Sequence, residues 1–231
     1  MPLLLSSATE NEFLQWDVKT FHKALHYWET SVEWHSIVSC LELGAREGGL
    51  SLWLARHQKN VVCSDLNNSK EIASPLHSKY ETENLISYQN IDASNIPNEN
   101  EFDLIIFKSV LGGIGAFHSI EKQRKSIQCI YKALKPGGVV LFAENLSASA
   151  FHRYLRKKFT NWGTSWRYPS LEEAKSFFSD FTKVDLHTTG FLATLGRNER
   201  QRSSLSLIDS ALFNHILPAK YHYLCYGIAV K

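Results

Sequence analysis

The sequence predicts an α/β domain built on a doubly wound, mostly parallel β-sheet. Between residues 36 and 145, short apolar runs alternate five times with turns and helical patterns, which is typical of successive βα units. The first run ends in an acid and a glycine-rich turn, as strands that feed a ligand crevice do. The 231 residues, of which 44% are hydrophobic, suffice for one sizeable core.

An amphipathic helix is predicted first, from Phe13 to Trp28. Apolar residues spaced alternately four and three apart form one stripe of it: Leu14, Val18, Phe21, Leu25 and Trp28. The run SIVSCLEL then predicts a buried strand, GGLSLWLARH the helix after it, and NVVCSDL a second strand ending in an acid. A helix cut short near Pro75 is expected next, before the strands LISYQNIDA and EFDLIIFKS.

The second half of the chain begins with a long helix and ends with two strands. The helix is marked by Ile120, Ile127, Ile130 and Leu134 and is expected to stop at KPGG, before the strand VVLFAEN. A basic, aromatic segment over residues 151–168 and a short helix, LEEAKSFFSDF, follow. The strands KVDLHTTGFL and KYHYLCYGIAV close the chain, and the last is expected to insert antiparallel beside the strand before it.

Charge and cysteine usage exclude several classes of protein. Acids and bases nearly balance at a formal net charge of +2, so no field over the whole sequence attracts nucleic acid or membranes. The N-terminus carries no basic region ahead of its short apolar run, and no run is long enough to span a bilayer, so we expect a cytoplasmic protein. Four widely separated cysteines are expected to be reduced core residues: Cys40, Cys63, Cys129 and Cys225.

The turn after the first strand is the candidate ligand site. Glu42, Gly44 and Gly48-Gly49 give E-x-G-x-x-x-G-G, which lacks the middle glycine that a dinucleotide pyrophosphate needs. The loop therefore fits a smaller ligand. Asp65 ends the second strand, where its carboxylate can accept hydrogen bonds from both hydroxyls of a ribose, and Asp92 follows the third, where it could receive an adenine amine. Together these residues predict a nucleoside pocket.

The residues from about 36 to 145 resemble the S-adenosylmethionine-dependent class I methyltransferases. The resemblance rests on Glu42-Leu43-Gly44, Gly48, Asp65, Asp92 and the motifs FDLIIFKSVLGG and ALKPGGVVLF. It implies a three-layer α/β/α, Rossmann-like, seven-stranded sheet that is mostly parallel with an antiparallel last strand, preceded by an N-terminal helix. It also implies S-adenosylmethionine as cofactor, with S-adenosylhomocysteine as product.

The resemblance assigns cofactor roles to particular positions. The glycine loop would pack against the methionine part, the second-strand acid would hold the ribose, and the third-strand acid would meet the adenine. The predicted cofactor-binding residues are Glu42, Gly44, Ala45, Gly48, Asp65, Leu66, Asp92, Ala93 and Lys108. Arg46 stands where the family usually has its middle glycine, and we expect it to have a negative φ and a side chain that points out of the loop.

The acceptor side offers few candidate bases. A base is needed only if the acceptor must lose a proton, and we predict His118 or His152 for that role. A purely structural histidine remains an equal alternative for either position. Lys108 is also expected near cofactor and acceptor, although it could equally be a strand-end side chain that reaches solvent. No metal-binding cluster is evident, so we predict chemistry without a metal.

The partners predicted from the sequence follow from the segment 151–168. Its mixture of cations and aromatic rings suits a small-molecule acceptor that is anionic or glycan-like. A solvated basic face and peripheral contact with a membrane stay open as alternatives. DNA is excluded as a partner by the balanced charge, RNA is disfavoured, and the sequence predicts no oligomeric state.

The predicted function is methyl transfer to an oxygen, less favourably a nitrogen, of a small molecule such as a sugar or glycan precursor. A nicotinamide-dependent oxidoreductase and a non-catalytic nucleotide-binding scaffold are the alternatives. We expect one domain over residues 1–231. Within it, 1–35 would form a helical lid, 36–145 the cofactor-binding core, and 146–231 the acceptor-side segment and closing strands.

Overall fold

The computed structural model describes residues 7–116, 119–159 and 165–231. Its strands form one sheet in the order β3-β2-β1-β4-β5-β7-β6. They are β1 (Ser39–Leu43), β2 (Asn60–Asp65), β3 (Ile86–Asn90), β4 (Phe102–Lys108), β5 (Leu134–Asn145), β6 (Lys183–Thr189) and β7 (Leu224–Val230). The helices are α1 (Ser7–Leu14), α2 (Val18–Ser31), α3 (Gly49–Arg56), α4 (Ser69–Lys79), α5 (Leu111–Ile114), α6 (Ile120–Ala133), α7 (Ala150–Phe159), α8 (Leu171–Phe177), α9 (Glu199–Ile208) and α10 (Asn214–Ile216).

The sheet is parallel except at its last strand. β1 to β5 pair in parallel, while β7 lies between β5 and β6 and pairs antiparallel with both. Four consecutive residues of β4, from Leu104 to Phe107, are buried, because helices cover both faces of the central strands. The predicted three-layer, seven-stranded fold with an antiparallel last strand is confirmed.

Two apolar layers hold the helices to the sheet. On one face, Trp28 of α2 and Trp53 of α3 belong to the larger core cluster, and the Trp28 indole donates a hydrogen bond to the Gly227 carbonyl of β7 at 3.0 Å. On the other face, Ile127 of α6 and Phe178 after α8 pack with Phe142 of β5. Three of the four cysteines are buried, Cys129 is half-buried, and all four are free thiols, as predicted.

The single N-terminal helix predicted from Phe13 to Trp28 is wrong. The structure has two helices, α1 and α2, separated by a break in which Gln15 and Asp17 adopt the left-handed conformation. The Glu199 carboxylate accepts hydrogen bonds from the backbone N–H groups of Asp17, at 2.9 Å, and Val18, at 2.6 Å. A distant side chain therefore caps the start of α2, and local periodicity could not reveal it.

Other boundaries also differ from expectation. Helix α4 runs through Pro75 instead of stopping there, because buried Ala73 and His77 anchor both of its halves. KPGG belongs to the start of β5. The predicted strand at KVDLHTTGFL ends at Thr189, and α9 and α10, joined by a π-helical turn over Asp209–Phe213, were not predicted. None of the helices in the described ranges is both long enough and apolar enough to cross a membrane.

Candidate active site

The predicted site residues meet at one edge of the sheet. Gly44 follows β1, Asp65 ends β2, Asp92 follows β3 and Lys108 ends β4. These four strands are parallel neighbours, so their carboxyl ends open into the same crevice.

The glycine loop approaches its surroundings more closely than other residues would allow. Gly44 has φ +65°, and a Cβ there would lie 2.5 Å from Cγ2 of Val110. Gly48 has φ +77°, and a Cβ there would lie 2.5 Å from Nε2 of His77, which is hydrogen bonded to the Gly48 carbonyl. Buried Ala45 donates its N–H to the Ser64 carbonyl at 2.9 Å. The loop therefore has no room for a larger side chain at Gly44 or Gly48.

Arg46 contradicts one expectation and meets another. Its φ is +50°, not negative. This conformation lets its N–H donate to Oδ2 of Asp65 at 2.9 Å, and that hydrogen bond offsets the cost of a left-handed backbone. Its side chain is exposed, as predicted for a residue pointing out of the loop.

The two predicted aspartates keep part of their hydrogen-bonding capacity. Asp65 accepts from the N–H groups of Arg46 and Leu66, and Asp92 accepts from the N–H and hydroxyl of Ser94 at 2.8 and 2.7 Å. A carboxylate has about four acceptor positions, so each retains capacity for a ligand. Leu66, the residue after Asp65, is 59% exposed and offers an apolar contact next to that acid.

Glu42, near the end of β1, is enclosed by the protein. It is buried, and its Oε2 accepts hydrogen bonds from both the N–H and the hydroxyl of Ser51, in the first turn of α3. Burial raises the pKa of Glu42 to about 7. The carboxyl group fixes the start of α3 beneath the glycine loop, and its contact with the cofactor stays a prediction.

A second buried acid, Glu144, fixes the loop after β4 in the same way. Its Oε2 accepts from the N–H groups of Val110 and Leu111, each at 2.8 Å. Burial raises its pKa to about 7. Sequence reasoning gave Glu144 no such role, because its partners are more than thirty residues away.

Lys108 points from β4 towards the break between α1 and α2. Its Nζ lies 4.1 Å from the ring centroid of Trp16 and 4.1 Å from that of Phe21. Burial lowers the pKa of Lys108 to about 7, although the nearby Asp17 carboxylate opposes the shift. The N-terminal segment thus lies directly over the end of β4, and Lys108 is neither a simple strand-end side chain nor fully open to solvent.

Asp17 completes this cluster. It is buried, and its Oδ2 accepts a hydrogen bond from the Tyr223 hydroxyl, while its Oδ1 has no hydrogen-bond partner. Burial raises its pKa to about 6. An unpaired buried carboxylate oxygen close to Lys108 leaves one polar position open at this end of the crevice.

The two histidines predicted as bases fare differently. His118 lies outside the described residues. His152 is buried, with its Nδ1 2.7 Å from the Ser149 hydroxyl and its Nε2 2.7 Å from the Phe191 carbonyl oxygen. The carbonyl can only accept, so Nε2 carries the proton and Nδ1 accepts from Ser149. Burial also lowers the pKa of His152. Without a free ring nitrogen, His152 is a structural residue, which corrects its predicted role as a base.

The basic, aromatic segment divides between core and surface. Arg156 is buried, donates to the Leu146 carbonyl at 2.6 Å and lies 4.1 Å above the Tyr168 ring. Trp166 packs so closely on Gly112 that a Cβ there would lie 2.8 Å from its ring. Arg153, Lys157 and Lys158 are exposed, and Trp162 lies outside the described residues. Within the described ranges, no group of three or more His, Cys, Asp or Glu side chains is placed to hold a metal ion.

Solved structures of methyltransferases share this fold. The chain is similar to the S-adenosylmethionine-dependent methyltransferase SibL (14% identity, 91% of this chain and 57% of that one, TM-score 0.58). It is also similar to Haemonchus contortus phosphoethanolamine N-methyltransferase 2 bound to phosphomonomethylethanolamine and S-adenosylhomocysteine (17%, 91% and 52%, TM-score 0.61). A third is the CurJ carbon methyltransferase (18%, 84% and 48%, TM-score 0.52). The chain spans about half the length of these structures, and at such identities the likeness concerns the fold.

Sequence comparison identifies the family. No curated protein matches the chain. A family model described as a methyltransferase domain matches residues 15–193, which include the glycine loop, both crevice aspartates and Lys108. The chain therefore belongs to the S-adenosylmethionine-dependent methyltransferases of the class I, Rossmann-like fold.

Proposed function

We propose that this protein transfers a methyl group from S-adenosylmethionine to a hydroxyl oxygen of a small molecule, such as a sugar or glycan precursor. The observation that carries the choice of oxygen is Lys108, a lysine at the crevice end of β4 whose pKa is lowered to about 7. A hydroxyl must lose a proton during methylation, whereas a neutral amine can attack before it loses one. Membership of the methyltransferase family disfavours a nicotinamide oxidoreductase.

The residues around the crevice fit the cofactor. The proposed contacts are the narrow backbone of Gly44, Ala45 and Gly48, the carboxylates of Asp65 and Asp92, and the surfaces of Leu66 and Ala93. The left-handed φ of Gly44 and the spare acceptor capacity of both aspartates support this assignment. When bound, S-adenosylmethionine supplies an electrophilic methyl group on a positively charged sulfur.

Lys108 is the proposed proton acceptor. With a pKa of about 7, the Lys108 side chain is a neutral amine in a large share of the molecules at physiological pH. A neutral amine can take a proton from a hydroxyl. A positively charged ligand in the same crevice would lower that pKa further. The rings of Trp16 and Phe21 keep water away from the amine and hold it in place. His118 stays a second predicted base.

The division of the chain is part of the proposal, and the same contacts support it. Residues 36–145 would carry the cofactor, and residues 1–35 would cover the crevice through Trp16 and Phe21. Residues 146–231 would receive the acceptor. Exposed Arg153, Lys157 and Lys158 favour an acceptor that is anionic or glycan-like. One structural neighbour, the phosphoethanolamine N-methyltransferase, was solved with a phosphorylated compound.

The proposal is tested by following labelled methyl groups. The protein is incubated with methyl-labelled S-adenosylmethionine and a panel of sugars, sugar phosphates and the corresponding amino sugars. We expect label on a hydroxyl oxygen, and we expect Lys108→Met to slow that transfer by about 10²- to 10⁴-fold while S-adenosylhomocysteine still binds. Label confined to nitrogen would overturn the choice of oxygen. Binding of the cofactor with no product from any member of the panel would favour the non-catalytic scaffold.

A further inference from the structure

Helix α7 buries polar residues and exposes aromatic ones. Its buried residues are His152 and Arg156, which are held by hydrogen bonds to the protein. Its aromatic residues Phe151, Tyr154 and Phe159 are between 52% and 64% exposed. A surface helix of a globular protein normally buries its apolar stripe and exposes its charges. Packing among the described residues therefore does not account for the outward rings of α7.

The segment from α9 to α10 likewise buries polar residues and exposes apolar ones. Its buried residues include Ser206 and Asp209, and the Asp209 carboxylate accepts hydrogen bonds from the N–H groups of residues 191–193 at 2.8 to 3.0 Å. Four large apolar side chains point outward instead: Leu207, Ile208, Leu212 and Ile216. Their spacing of one, four and four residues places them along one side of the segment.

The two segments share a packing partner, Phe191. The His152 ring centroid lies 4.7 Å from that of Phe191, and the Phe213 ring stacks on Phe191 at 5.5 Å. We name the combined surface the α7/α9 face. It consists of Phe151, Tyr154, Phe159, Leu207, Ile208, Leu212 and Ile216 together with the exposed cations of α7. Seven of the twelve exposed large apolar side chains in the described ranges lie on this face, so they are concentrated rather than scattered.

The charge of the α7/α9 face is positive. Arg153, Lys157 and Lys158 are exposed on α7, and the Lys158 ammonium lies 5.4 Å from the Phe159 ring centroid. The sequence has no acidic residue between positions 146 and 170. Glu199, the first residue of α9, is half-buried and accepts hydrogen bonds from the N–H groups of Asp17 and Val18. Between 200 and 231 the single acid is Asp209, which is buried. Cations therefore lie among the apolar side chains with no exposed acid from these segments to neutralise them.

The α7/α9 face lies beside the crevice. Helix α7 begins five residues after the carboxyl end of β5, and Phe191 follows the carboxyl end of β6 by two. Because β5 and β6 both pair antiparallel with β7, they run in the same direction and end at the same edge of the sheet. That edge carries the crevice, so an acceptor would enter next to this face.

We propose that the α7/α9 face docks on an anionic lipid bilayer and that the acceptor is an amphiphile taken from that surface. Aromatic and aliphatic side chains insert at the boundary between headgroups and acyl chains, while lysine and arginine attract anionic headgroups. A second copy of the chain is a poorer occupant, because a two-fold axis through α7 would bring Lys157 and Lys158 against like charges. The class of acceptor, unlike the docking itself, rests on the proposed methyl transfer.

The test is sedimentation of the full chain with vesicles. Vesicles of phosphatidylcholine with phosphatidylglycerol are compared with vesicles of phosphatidylcholine alone. We expect at least tenfold tighter binding to the anionic vesicles, weakened by salt. The double variant Lys157→Glu/Lys158→Glu should lose at least tenfold, since each cation near the surface is worth about 1 kcal/mol. Phe151→Ser/Tyr154→Ser should also weaken binding, while Ile72→Ser, which alters an exposed apolar residue on α4, should not.

The outcomes separate this inference from the proposed function. S-adenosylhomocysteine binding, measured by calorimetry on every variant, reports on the crevice and on folding. If that binding is normal and the wild type fails to sediment with anionic vesicles, the docking proposal is overturned and the methyltransferase proposal stands. Loss of a dimer in the Phe151→Ser/Tyr154→Ser variant would assign the face to self-association instead. Equal affinity for a homopolymeric RNA, lost in the lysine variant, would assign it to RNA.

Discussion

The Lys108 ammonium lies 4.1 Å from the ring centroid of Trp16, a residue from the break between the first two helices. This contact connects the N-terminal segment to the end of β4 at the crevice. It also removes water from a lysine, which lowers the lysine's pKa to about 7. The N-terminal segment that covers the crevice is therefore in direct contact with the proposed base, Lys108.

The first prediction concerns the pH dependence of turnover. The neutral form of Lys108 would accept the proton, so kcat/KM for S-adenosylmethionine, which reports the free enzyme, should rise as pH increases through about 7. Trp16→Ala should admit water, raise the lysine pKa and shift the rise to higher pH. Lys108→Met should remove this limb of the profile and lower kcat by about 10²- to 10⁴-fold. A profile with the same midpoint in wild type and Trp16→Ala would contradict the coupling.

The glycine loop provides a second prediction. Gly44→Ala should weaken S-adenosylhomocysteine binding by more than tenfold, because its Cβ would lie 2.5 Å from Val110 Cγ2. Gly137→Ala is the matched control, since Gly137 has φ +76° and no atom within 4 Å of a new Cβ. Both variants incur a backbone cost of about 1–2 kcal/mol. Calorimetry should detect lost affinity only in Gly44→Ala. Equal losses in both variants would show that the positive φ, and not the contact with Val110, causes the effect.

Asp65 provides a third prediction. Asp65→Ala should weaken S-adenosylhomocysteine binding by about 10- to 100-fold, since hydrogen bonds to a charged group are worth roughly 1.5–3 kcal/mol. The variant also removes the acceptor for the Arg46 and Leu66 N–H groups, which shape the loop. Asp180→Ala, which changes an exposed acid after α8, serves as the control. Unchanged affinity in Asp65→Ala would remove this residue from the proposed cofactor site.

The fourth prediction concerns stability and pH. The pKa of Glu42 is raised from 4.5 to about 7 in the folded protein. The folded state therefore binds more protons than the unfolded state between these values, and the free energy of unfolding falls as pH rises through that window. Across this window, ionisation of Glu42 should lower the free energy of unfolding by about 3 kcal/mol. Glu144 contributes with the same sign.

The variant Glu42→Gln isolates the contribution of Glu42 to this pH dependence of stability. The amide does not titrate, so urea unfolding at about pH 5 and about pH 8 should show a smaller loss of stability with pH than in the wild type. Glu172→Gln, at an exposed position on α8, should retain the wild-type loss. An unaltered loss in Glu42→Gln would mean that this buried carboxyl group does not change its protonation over the window.

The succession of strands and helices in the core, and the position of the crevice, can be predicted from local sequence patterns. The acid at the end of β2 and the glycines after β1 are local signals, since a turn of fixed geometry needs particular residues within a few positions. The alternation of apolar runs likewise reports which segments are buried on both faces. These local signals therefore suffice to place Asp65, Asp92 and the glycine loop at the same edge of the sheet.

Tertiary structure alone decided which polar groups are free to act. His152 had the residue type of a base, yet Ser149 and the Phe191 carbonyl occupy its two nitrogens. Glu42 carried a family motif but lies beneath the loop. Hydrogen-bond partners and burial set a side chain's pKa and accessibility, and they come from residues far apart in the chain. The break in the N-terminal helix has the same cause, because its cap is supplied by Glu199.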